Sequence, residues 1–331
     1  MSFSGRSHVI EIKIFKLRFK TPLHIGADST LREKVDTIIH SDTLYSALYD
    51  LAVRARSKIR DAISRREILL TSAFPYYEDG SEKIFFLPKP IFNFKIYGYD
   101  PKWDFELGKK LKKLTFVPST WLESSDFIKE FLKNEISKKP DYLRETYAID
   151  ILPRVFVDRV TSSSNFYRMA QVFFHKGGLY FGVKFLSDGL EDEFRGLLKL
   201  LGDEGIGGRR STGSGAFEFE EDKLVIKVPQ GANFYLLLSL AVPSEDEMDN
   251  ILKESSYELI LRRGWFLLNT GHSLRRKSIW MFKEGSVLRK EIKGCAIDVT
   301  PDTLSEYLHA ANSEVYKFAY AFTIPVGLSH E

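Results

Sequence analysis

The most informative stretch of this chain is GIGGRRSTGSGAF, residues 205–217, which lies between a helix-like run at 190–201 and an alternating, strand-like run at 216–228. Its glycines are Gly205, Gly207, Gly208, Gly213 and Gly215. Glycine tolerates positive φ and close approach, so successive amides can point outward toward anionic oxygens. Arg209 and Arg210 add guanidinium donors for phosphate, and hydroxyl donors come from Ser211, Thr212 and Ser214. The segment predicts a cradle for a phosphate backbone; the alternative is a flexible surface turn.

The spacing of this loop excludes the two common nucleotide-binding motifs. A dinucleotide fingerprint needs a third glycine three residues after the second, but Arg210 follows Gly207 at that distance. A P-loop that starts at Gly208 and reaches Gly213 needs lysine where Ser214 stands. Both motifs also run from strand to loop to helix, whereas here the loop runs from helix to strand.

Composition limits the class of protein. The chain has 331 residues, 44% of them hydrophobic, and a net charge of +3, which is too small for general attraction to nucleic acid. It contains no apolar run of about 18 residues, so we expect no membrane span. The polar start at 1–8 has no signal-peptide pattern, and we expect a cytoplasmic protein. A single cysteine, Cys295, excludes an internal disulfide and a thiolate zinc site. We expect no cofactor, no metal and no small-molecule substrate.

Hydrophobic periodicity divides the chain into two similar halves. The first half reads as strand 9–20, a helix through Leu44 and Leu48 that Ser41 or Asp42 can cap, strand 84–87, strand 178–186, helix 190–201 and strand 216–228. Residues 91–97 also read as a strand, and 100–147 read as an insertion with a helix-like piece at 127–136. Two alternating arms around a polar tip predict a projecting hairpin at about 153–175.

A second round follows Pro229. It reads as strand 234–241, helix 244–253, strands 257–263 and 277–282, helix 301–311 and strand 315–324. The predicted class is α+β, with two ferredoxin-like (RRM-like, βαββαβ) domains at 1–228 and 229–331, insertions and a β-hairpin thumb. This fold serves many functions, so the function must be argued from the site.

Several motifs resemble a known family. The end of the glycine loop, Gly213–Phe217, between the second helix and fourth strand of such a domain, resembles the RAMP superfamily of CRISPR systems. The segments PLHIG at 22–26, HSDTL at 40–44, FLPKP at 86–90 and EGSV at 284–287 are similar to one subunit of type III-A (Csm) effector complexes. That subunit caps the 5′ repeat-derived handle of the guide RNA. The resemblance covers nearly the whole chain except 100–147.

The resemblance implies a noncatalytic RNA-binding scaffold. Its partners are the guide RNA 5′ handle, the large polymerase-like subunit and a backbone RAMP subunit, and its thumb leans across the RNA. We expect RNA binding by His24, Gly26, His40, Ser41, Asp42, Thr43, Arg154, Arg159, Arg168, Gly205, Gly207, Gly208, Arg209, Arg210, Ser211, Thr212, Gly213, Ser214, Gly215, Arg275, Arg276 and Lys277. Phe166, Tyr167 and Tyr76 or Tyr77 can stack on bases or belong to the core.

Two other functions stay open at this point. A metal-independent nuclease needs a general base and a general acid, and His24 and His40 are the pair that can lie close together. A metal-dependent nuclease needs a carboxylate cluster, for which Asp36, Asp42 and Asp158 are the candidates, although no spacing joins them. A subunit that only assembles proteins can also use arginines and aromatic side chains, since both are enriched at interfaces.

Overall fold

The computed structural model describes residues 8–26, 33–91, 109–110, 112–124, 141–251, 253, 255–267, 273–301 and 315–327. The strands are β1 (His8–Phe19), β2 (Ile68–Leu70), β3 (Phe74–Asp79), β4 (Glu82–Pro88), β5 (Phe116–Pro118), β6 (Tyr147–Val157), β7 (Ser164–Phe174), β8 (Gly178–Phe185), β9 (Phe217–Val228), β10 (Phe234–Leu237), β11 (Leu259–Arg262), β12 (Trp265–Leu267), β13 (Ser273–Arg275), β14 (Ile279–Phe282), β15 (Val287–Leu288), β16 (Gly294–Asp298), β17 (Tyr316–Tyr320) and β18 (Thr323–Val326). The helices are α1 (Ser41–Arg54), α2 (Ile59–Ser64), α3 (Tyr142–Thr146), α4 (Glu191–Glu204) and α5 (Glu245–Ile251), with 3-10 turns at Ser119–Glu123 and Arg210–Thr212. Among these residues, no helix has the length and apolar character needed to cross a bilayer.

The N-terminal half is an antiparallel sheet in the order β5-β4-β3-β8-β1-β9, with β2 also paired to β8. Its centre, β3-β8-β1-β9, has the strand order of a ferredoxin-like βαββαβ unit. Phe15 of β1 stacks on Phe181 of β8 at 5.6 Å between ring centroids and meets Phe194 of α4 at 5.5 Å. The predicted ferredoxin-like fold of this half is confirmed, but the strand next to β8 is β3, which was not predicted, and the predicted strand 84–87 is β4, further out in the sheet.

The two insertions differ from their predicted limits. β5 pairs with β4, and Trp121 and Leu122 are buried in the main core, so 116–123 extend the first sheet and do not form a separate subdomain. The thumb is the β6–β7 hairpin, and it starts at Tyr147, before the predicted boundary. The predicted helix at 127–136 and nearly all of the predicted strand at 91–97 lie outside the described residues.

The C-terminal half repeats this strand order with shorter strands. β10 pairs with β18 and with β15, and β11 pairs with β14. An antiparallel bridge between Ala241 and Phe282 links the continuation of β10 to β14. The order β18, β10, β14, β11 is therefore equivalent to that of the first half. The α+β class is confirmed, the predicted helix at 301–311 lies outside the described residues, and the domain boundary after Val228 stays a prediction.

The N-terminus of α1 joins the two halves through polar side chains. His40 is the N-cap residue and makes no side-chain capping bond, so the predicted cap by Ser41 or Asp42 is wrong. Ser41 Oγ instead accepts from the amide of Leu240 at 2.9 Å. Asp42 accepts from Arg262 Nε at 3.1 Å and Nη2 at 2.9 Å, and also from Lys317. The side chains that sequence assigns to capping hold α1 against the C-terminal half.

These buried ionic groups have shifted pKa values. Burial alone raises the pKa of Asp42, but Lys317 and Arg262 outweigh it and hold that pKa far below the ordinary value. Burial alone lowers the pKa of His40. Attraction to Glu284 and hydrogen bonds with Asp36 and Glu284 outweigh that effect and raise the pKa to about 9. His40 Nδ1 lies 2.8 Å from Glu284 and Nε2 lies 3.7 Å from Asp36, so both ring nitrogens face carboxylates.

Replacing Asp42 by asparagine should destabilise the protein strongly. The change leaves Arg262 and Lys317 buried without their counter-charge, which costs about 3–5 kcal/mol in unfolding free energy. Urea unfolding measures the loss. Glu11→Gln is the control, because its ion pair with Lys223 is exposed on both sides and contributes less than about 1 kcal/mol. Equal effects of the two substitutions would contradict a structural role for Asp42.

The His40 ion pair should stabilise the fold in a pH-dependent way. Because the folded pKa of about 9 exceeds the ordinary 6.5, the contribution is complete below about pH 6.5 and is lost as the pH rises through about 9. His40→Asn should therefore cost about 3 kcal/mol more at pH 6 than at pH 9.5, by urea unfolding of both proteins. His175→Asn, at an exposed position, is the control and should cost little at either pH. A His40→Asn deficit that is constant or grows with pH is incompatible with the charged pair.

Candidate RNA-binding surface

The glycine loop is shaped by its contact with residues 22–25. Gly207 has φ +92°, and a Cβ there would lie 2.6 Å from the carbonyl oxygen of His24. Gly215 has φ +79°, and a Cβ there would lie 2.0 Å from the carbonyl oxygen of Ile206. Any larger residue therefore meets main chain that cannot move aside. The glycines allow one segment of the protein to pack directly on another.

Most of the loop's amides are used inside the protein. The amide of Gly208 donates to His24 O at 2.8 Å, that of Gly215 to Pro22 O at 3.0 Å, and that of Ile206 to Gly215 O at 3.0 Å. The amides of Gly205, Thr212, Gly213 and Ser214 also donate to main-chain oxygens. The prediction of an outward-facing amide cradle is therefore wrong for most of the loop. Within the described residues, Gly207, Arg209, Arg210 and Ser211 keep amides without a main-chain acceptor.

Exposure divides the predicted loop residues into two groups. Arg209, Arg210, Ser211, Thr212 and Gly213 are exposed, and Gly207 and Gly208 are half-buried. Gly205, Ser214 and Gly215 are buried beneath them. The prediction that these last three contact RNA is wrong, because their positions are filled by the loop's packing on 22–25. What the loop presents outward is chiefly side chains.

The thumb is fastened to the same short segment. Leu23 and Val172 of β7 exchange two main-chain hydrogen bonds, at 2.9 and 2.8 Å. His24 Nδ1 lies 2.7 Å from the carbonyl oxygen of Ala170. Residues 22–25 thus lie between the loop on one side and the base of the thumb on the other.

The loop and the thumb also contact each other directly, through Arg209 and Tyr167. Arg209 Nη2 donates to Tyr167 Oη at 3.0 Å, and its guanidinium carbon lies 5.4 Å from the centre of the Tyr167 ring. Arg209 has φ +64°, a left-handed backbone conformation. Tyr167 is thereby a contact residue of the surface rather than a core aromatic.

A polar chain links the thumb to the floor of the loop. Arg154 Nη2 donates to Gln171 Oε1 at 3.1 Å, and Gln171 Nε2 donates to Ser214 Oγ at 3.4 Å. Sequence reasoning missed Gln171, although a glutamine that alternates with Tyr167 and Met169 on one strand face was a usable signal. We call the set His24, Arg154, Tyr167, Arg209 and Arg210, together with Gln171 buried beneath them, the loop–thumb surface.

The remaining thumb predictions fall on exposed positions. Arg159 lies at the tip, and Arg168 follows Tyr167 on the opposite strand face. Phe156 is 61% exposed and Phe166 is 64% exposed, whereas Tyr76 and Tyr77 are buried in the core. The hairpin therefore carries the accessible aromatic side chains of this region.

Other predicted RNA contacts lie elsewhere. Ser41 and Asp42 are fully buried and His40 is 4% exposed, so their predicted RNA contacts are wrong: these side chains are bonded to the C-terminal half. Thr43 is half-buried, and its Oγ1 accepts from Arg262 at 3.2 Å. Gly26 is exposed and forms a bridge with Val35.

The predicted basic run of the C-terminal half is spread over two environments. Arg275 and Lys277 are exposed, whereas Arg276 is half-buried. Burial lowers the pKa of Arg276, and the charge of Asp42 opposes that shift. The run is therefore not uniformly available to RNA.

The predicted nuclease sites do not form. His40 is buried between Glu284 and Asp36, so it cannot take a proton from an RNA hydroxyl. Asp158 accepts from the amides of Val160 at 2.7 Å and Thr161 at 2.9 Å and thereby shapes the thumb tip. Nowhere in the part of the chain that the structure describes do three or more His, Cys, Asp or Glu side chains group as for a metal ion.

Csm4 proteins from two organisms are similar to this chain in sequence. The chain is 26% identical over 304 residues to "CRISPR system Cms protein Csm4" of Thermococcus onnurineus, covering 88% of this chain and 92% of the relative. It is 28% identical over 272 residues to the protein of the same name from Mycobacterium tuberculosis, covering 78% and 83%.

Solved structures share the fold. A chain of the "Csm1-Csm4 cassette in complex with cA4" superposes with a TM-score of 0.58 at 22% identity, covering 97% of this chain and 100% of that one. A chain of the "Csm3-Csm4 subcomplex in the type III-A CRISPR-Cas interference complex" gives 0.54 at 16%, covering 96% and 99%.

Both halves of the chain match known protein families. The CRISPR Csm4 C-terminal domain matches residues 230–326, and the RAMP superfamily matches residues 16–218, which include the end of β1, the thumb and the glycine loop. The chain therefore belongs to the RAMP superfamily, with a C-terminal half of the Csm4 type.

Proposed function

We propose that this chain is a noncatalytic RNA-binding subunit of a type III-A CRISPR interference complex. It holds the 5′ repeat-derived handle of the guide RNA and bridges the large polymerase-like subunit to the backbone RAMP subunit. The Csm4 relatives and the match of both halves to RAMP and Csm4 descriptions support membership in such a complex. RNA binding is argued from the loop–thumb surface.

The observation that carries the proposal is a set of arginines without carboxylate partners. Among the described residues, no ion pair engages Arg154, Arg159, Arg168 or Arg209, and Arg210 lies 3.9 Å from Glu204. Glu204 already binds Arg54 at 2.7 Å. Arg154 and Tyr167 share one face of the hairpin and Arg168 lies on the other, so these guanidinium groups are spread over the loop and both faces of the thumb. Guanidinium groups left unneutralised there suit the phosphates of a nucleic acid.

The face of the first sheet opposite α4 offers a contrast. RRM-type domains bind RNA on their sheet, but Lys16 here lies 3.0 Å from both Glu78 and Glu220. Arg18 lies 2.8 Å from the same Glu78. Because these cations are neutralised by the protein's own carboxylates, we infer that the RNA follows the loop and thumb instead.

The thumb supplies the second kind of RNA contact. Phe156 shares the strand face of Arg154 and Tyr167, whereas Phe166 shares that of Arg168; both rings are exposed, and an exposed aromatic ring can stack on an unpaired base. The handle is single-stranded in this proposal, so its bases are free to stack. Guanidinium groups for phosphates and rings for bases are the combination used by proteins that bind single strands.

A purely assembling subunit remains the second candidate, and one observation favours it. Ile149, Ile151, Val155 and Val157 of β6 are all about half exposed, which gives the thumb an aliphatic side that can contact protein. The solved relatives named above are complexes with Csm1 and with Csm3. We propose that both partners bind this chain as well, in addition to the RNA.

RNA binding should depend steeply on salt. If about four to six phosphates are contacted, the logarithm of the affinity for a handle-containing RNA should fall with the logarithm of salt with a slope of about −3 to −4. Titrations of fluorescent RNA between 50 and 300 mM salt, roughly the range over which counterion release is measurable, give this slope. A slope near zero favours the assembling subunit.

Arg209→Ala combined with Arg210→Ala should weaken RNA binding by about 1–3 kcal/mol and reduce the slope, because two phosphate contacts are lost. The fold should persist, since both side chains are exposed. Arg60→Ala with Arg65→Ala is the matched control: it removes the same charge from exposed positions on and beside α2. Equal losses in the two variants mean that only net charge matters, and wild-type affinity removes the loop from the site.

The chain should leave repeat RNA intact. His40 is buried in an ion pair, so no general base is available there. Repeat RNA incubated with the protein in chelator and then in magnesium should run unchanged on a denaturing gel. Cleavage that disappears in His40→Ala would contradict the noncatalytic proposal.

A further inference from the structure

His24 is held in place from several sides. Its neighbours Leu23 and Ile25 are buried in the core, and its carbonyl oxygen accepts from the amide of Gly208 at 2.8 Å. The ring lies against the glycine loop, because a Cβ at position 208 would come within 2.9 Å of His24 Cδ2. Only glycine at 208 leaves room for the imidazole in this position.

The contact with the thumb fixes which ring nitrogen carries the proton. Nδ1 lies 2.7 Å from the carbonyl oxygen of Ala170, and a carbonyl oxygen can only accept. Nδ1 is therefore the donor, and in the neutral ring Nε2 is left as an acceptor. His24 is half-exposed, and among the described residues nothing donates to Nε2.

This acceptor lies beside the glycine loop, 3.8 Å from where a Cβ at position 208 would be. Arg209 and Arg210 follow Gly208 directly in the chain, and their guanidinium groups suit phosphate oxygens. Nε2 as an acceptor cannot form a hydrogen bond with a phosphate group, because the phosphate oxygens are also acceptors. Along a nucleic-acid backbone, the 2′-hydroxyl of ribose is the group that can donate, and DNA lacks it.

We propose that His24 distinguishes RNA from DNA on the loop–thumb surface, with Nε2 accepting a hydrogen bond from a ribose 2′-hydroxyl. The proposal rests on the proposed RNA-binding function. The phosphate next to that ribose binds Arg209 or Arg210. Adjacent sugar and phosphate groups of the strand thus contact adjacent groups of the protein. The amino and imino N–H groups of the bases are the other donors of a nucleic acid, and the test separates them from the 2′-hydroxyl.

Two substitutions separate the contact of Nδ1 with Ala170 from the proposed contact of Nε2 with RNA. In His24→Asn the side-chain amide can still donate to Ala170, as Nδ1 does, but nothing replaces Nε2. His24→Gln extends an amide toward the position of Nε2 and gives up the Ala170 bond. Thermal unfolding of both full-length variants checks that the surface survives, and the glutamine variant keeps the test decisive if the asparagine variant does not fold.

The measurement is the affinity of each protein for three oligonucleotides with the handle sequence: RNA, RNA with single 2′-deoxy substitutions, and RNA with altered bases. One 2′-deoxy position should weaken wild-type binding by about 3- to 10-fold, the worth of one hydrogen bond. His24→Asn should weaken RNA binding by the same factor and be insensitive to that 2′-deoxy substitution. His24→Gln should keep part of the sensitivity.

The outcomes separate the two levels of the proposal. If the wild-type protein binds no RNA, the proposed function itself fails. If it binds RNA but His24→Asn weakens RNA and 2′-deoxy RNA equally, His24 only positions the loop and thumb. Two further results would contradict a hydrogen bond from the 2′-hydroxyl to His24. One is unchanged RNA binding by His24→Asn. The other is a His24→Asn protein that loses its sensitivity to a base change and keeps its sensitivity to the 2′-deoxy change.

Discussion

The loop–thumb surface depends on main-chain contacts made by four residues, Pro22 to Ile25. Pro22 and His24 accept amides from the glycine loop, and Leu23 exchanges two hydrogen bonds with Val172 of the thumb. Since this segment is fixed by Leu23 and Ile25 in the core, the loop and the thumb are fixed to the body of the domain and to each other. Arg209 and Tyr167 can then meet because their backbones are already in place.

The same contacts change the chemistry of the loop. Amides that bind His24 O and Pro22 O are not available to a ligand, so the phosphate-binding capacity passes to arginine side chains. Glycine at 207 and 215 serves close packing of chain on chain. In this surface the main chain is fixed, whereas the donors stand on flexible arginine side chains. This arrangement suits a single strand, in which the bases vary more than the phosphates do.

The first turn of α1 shows how one motif can serve a purpose other than the one its sequence suggests. Asp42 and His40 form buried ion pairs with Arg262, Lys317 and Glu284, and these residues are distant along the chain. Such pairs are costly to break on one side only. They bind α1 to the C-terminal half, and α1 in turn lies between the two sheets, with Tyr45 against Tyr320 at 5.7 Å between ring centroids.

From its local patterns the sequence indicated the α+β class, the thumb and the exposed arginines of the loop and thumb, because periodicity and turn residues are local signals. It also carried the family motifs. It did not predict β3, a strand of the central sheet. It did not reveal Gln171, the internal use of the loop's amides, or the burial of His40 and Asp42. Those depend on which distant segments meet: Pro22–Ile25 with the loop, and α1 with Arg262 and Lys317. A glycine or an aspartate has the same local preferences in either setting, and only the tertiary contacts decide whether its polar groups face solvent or protein.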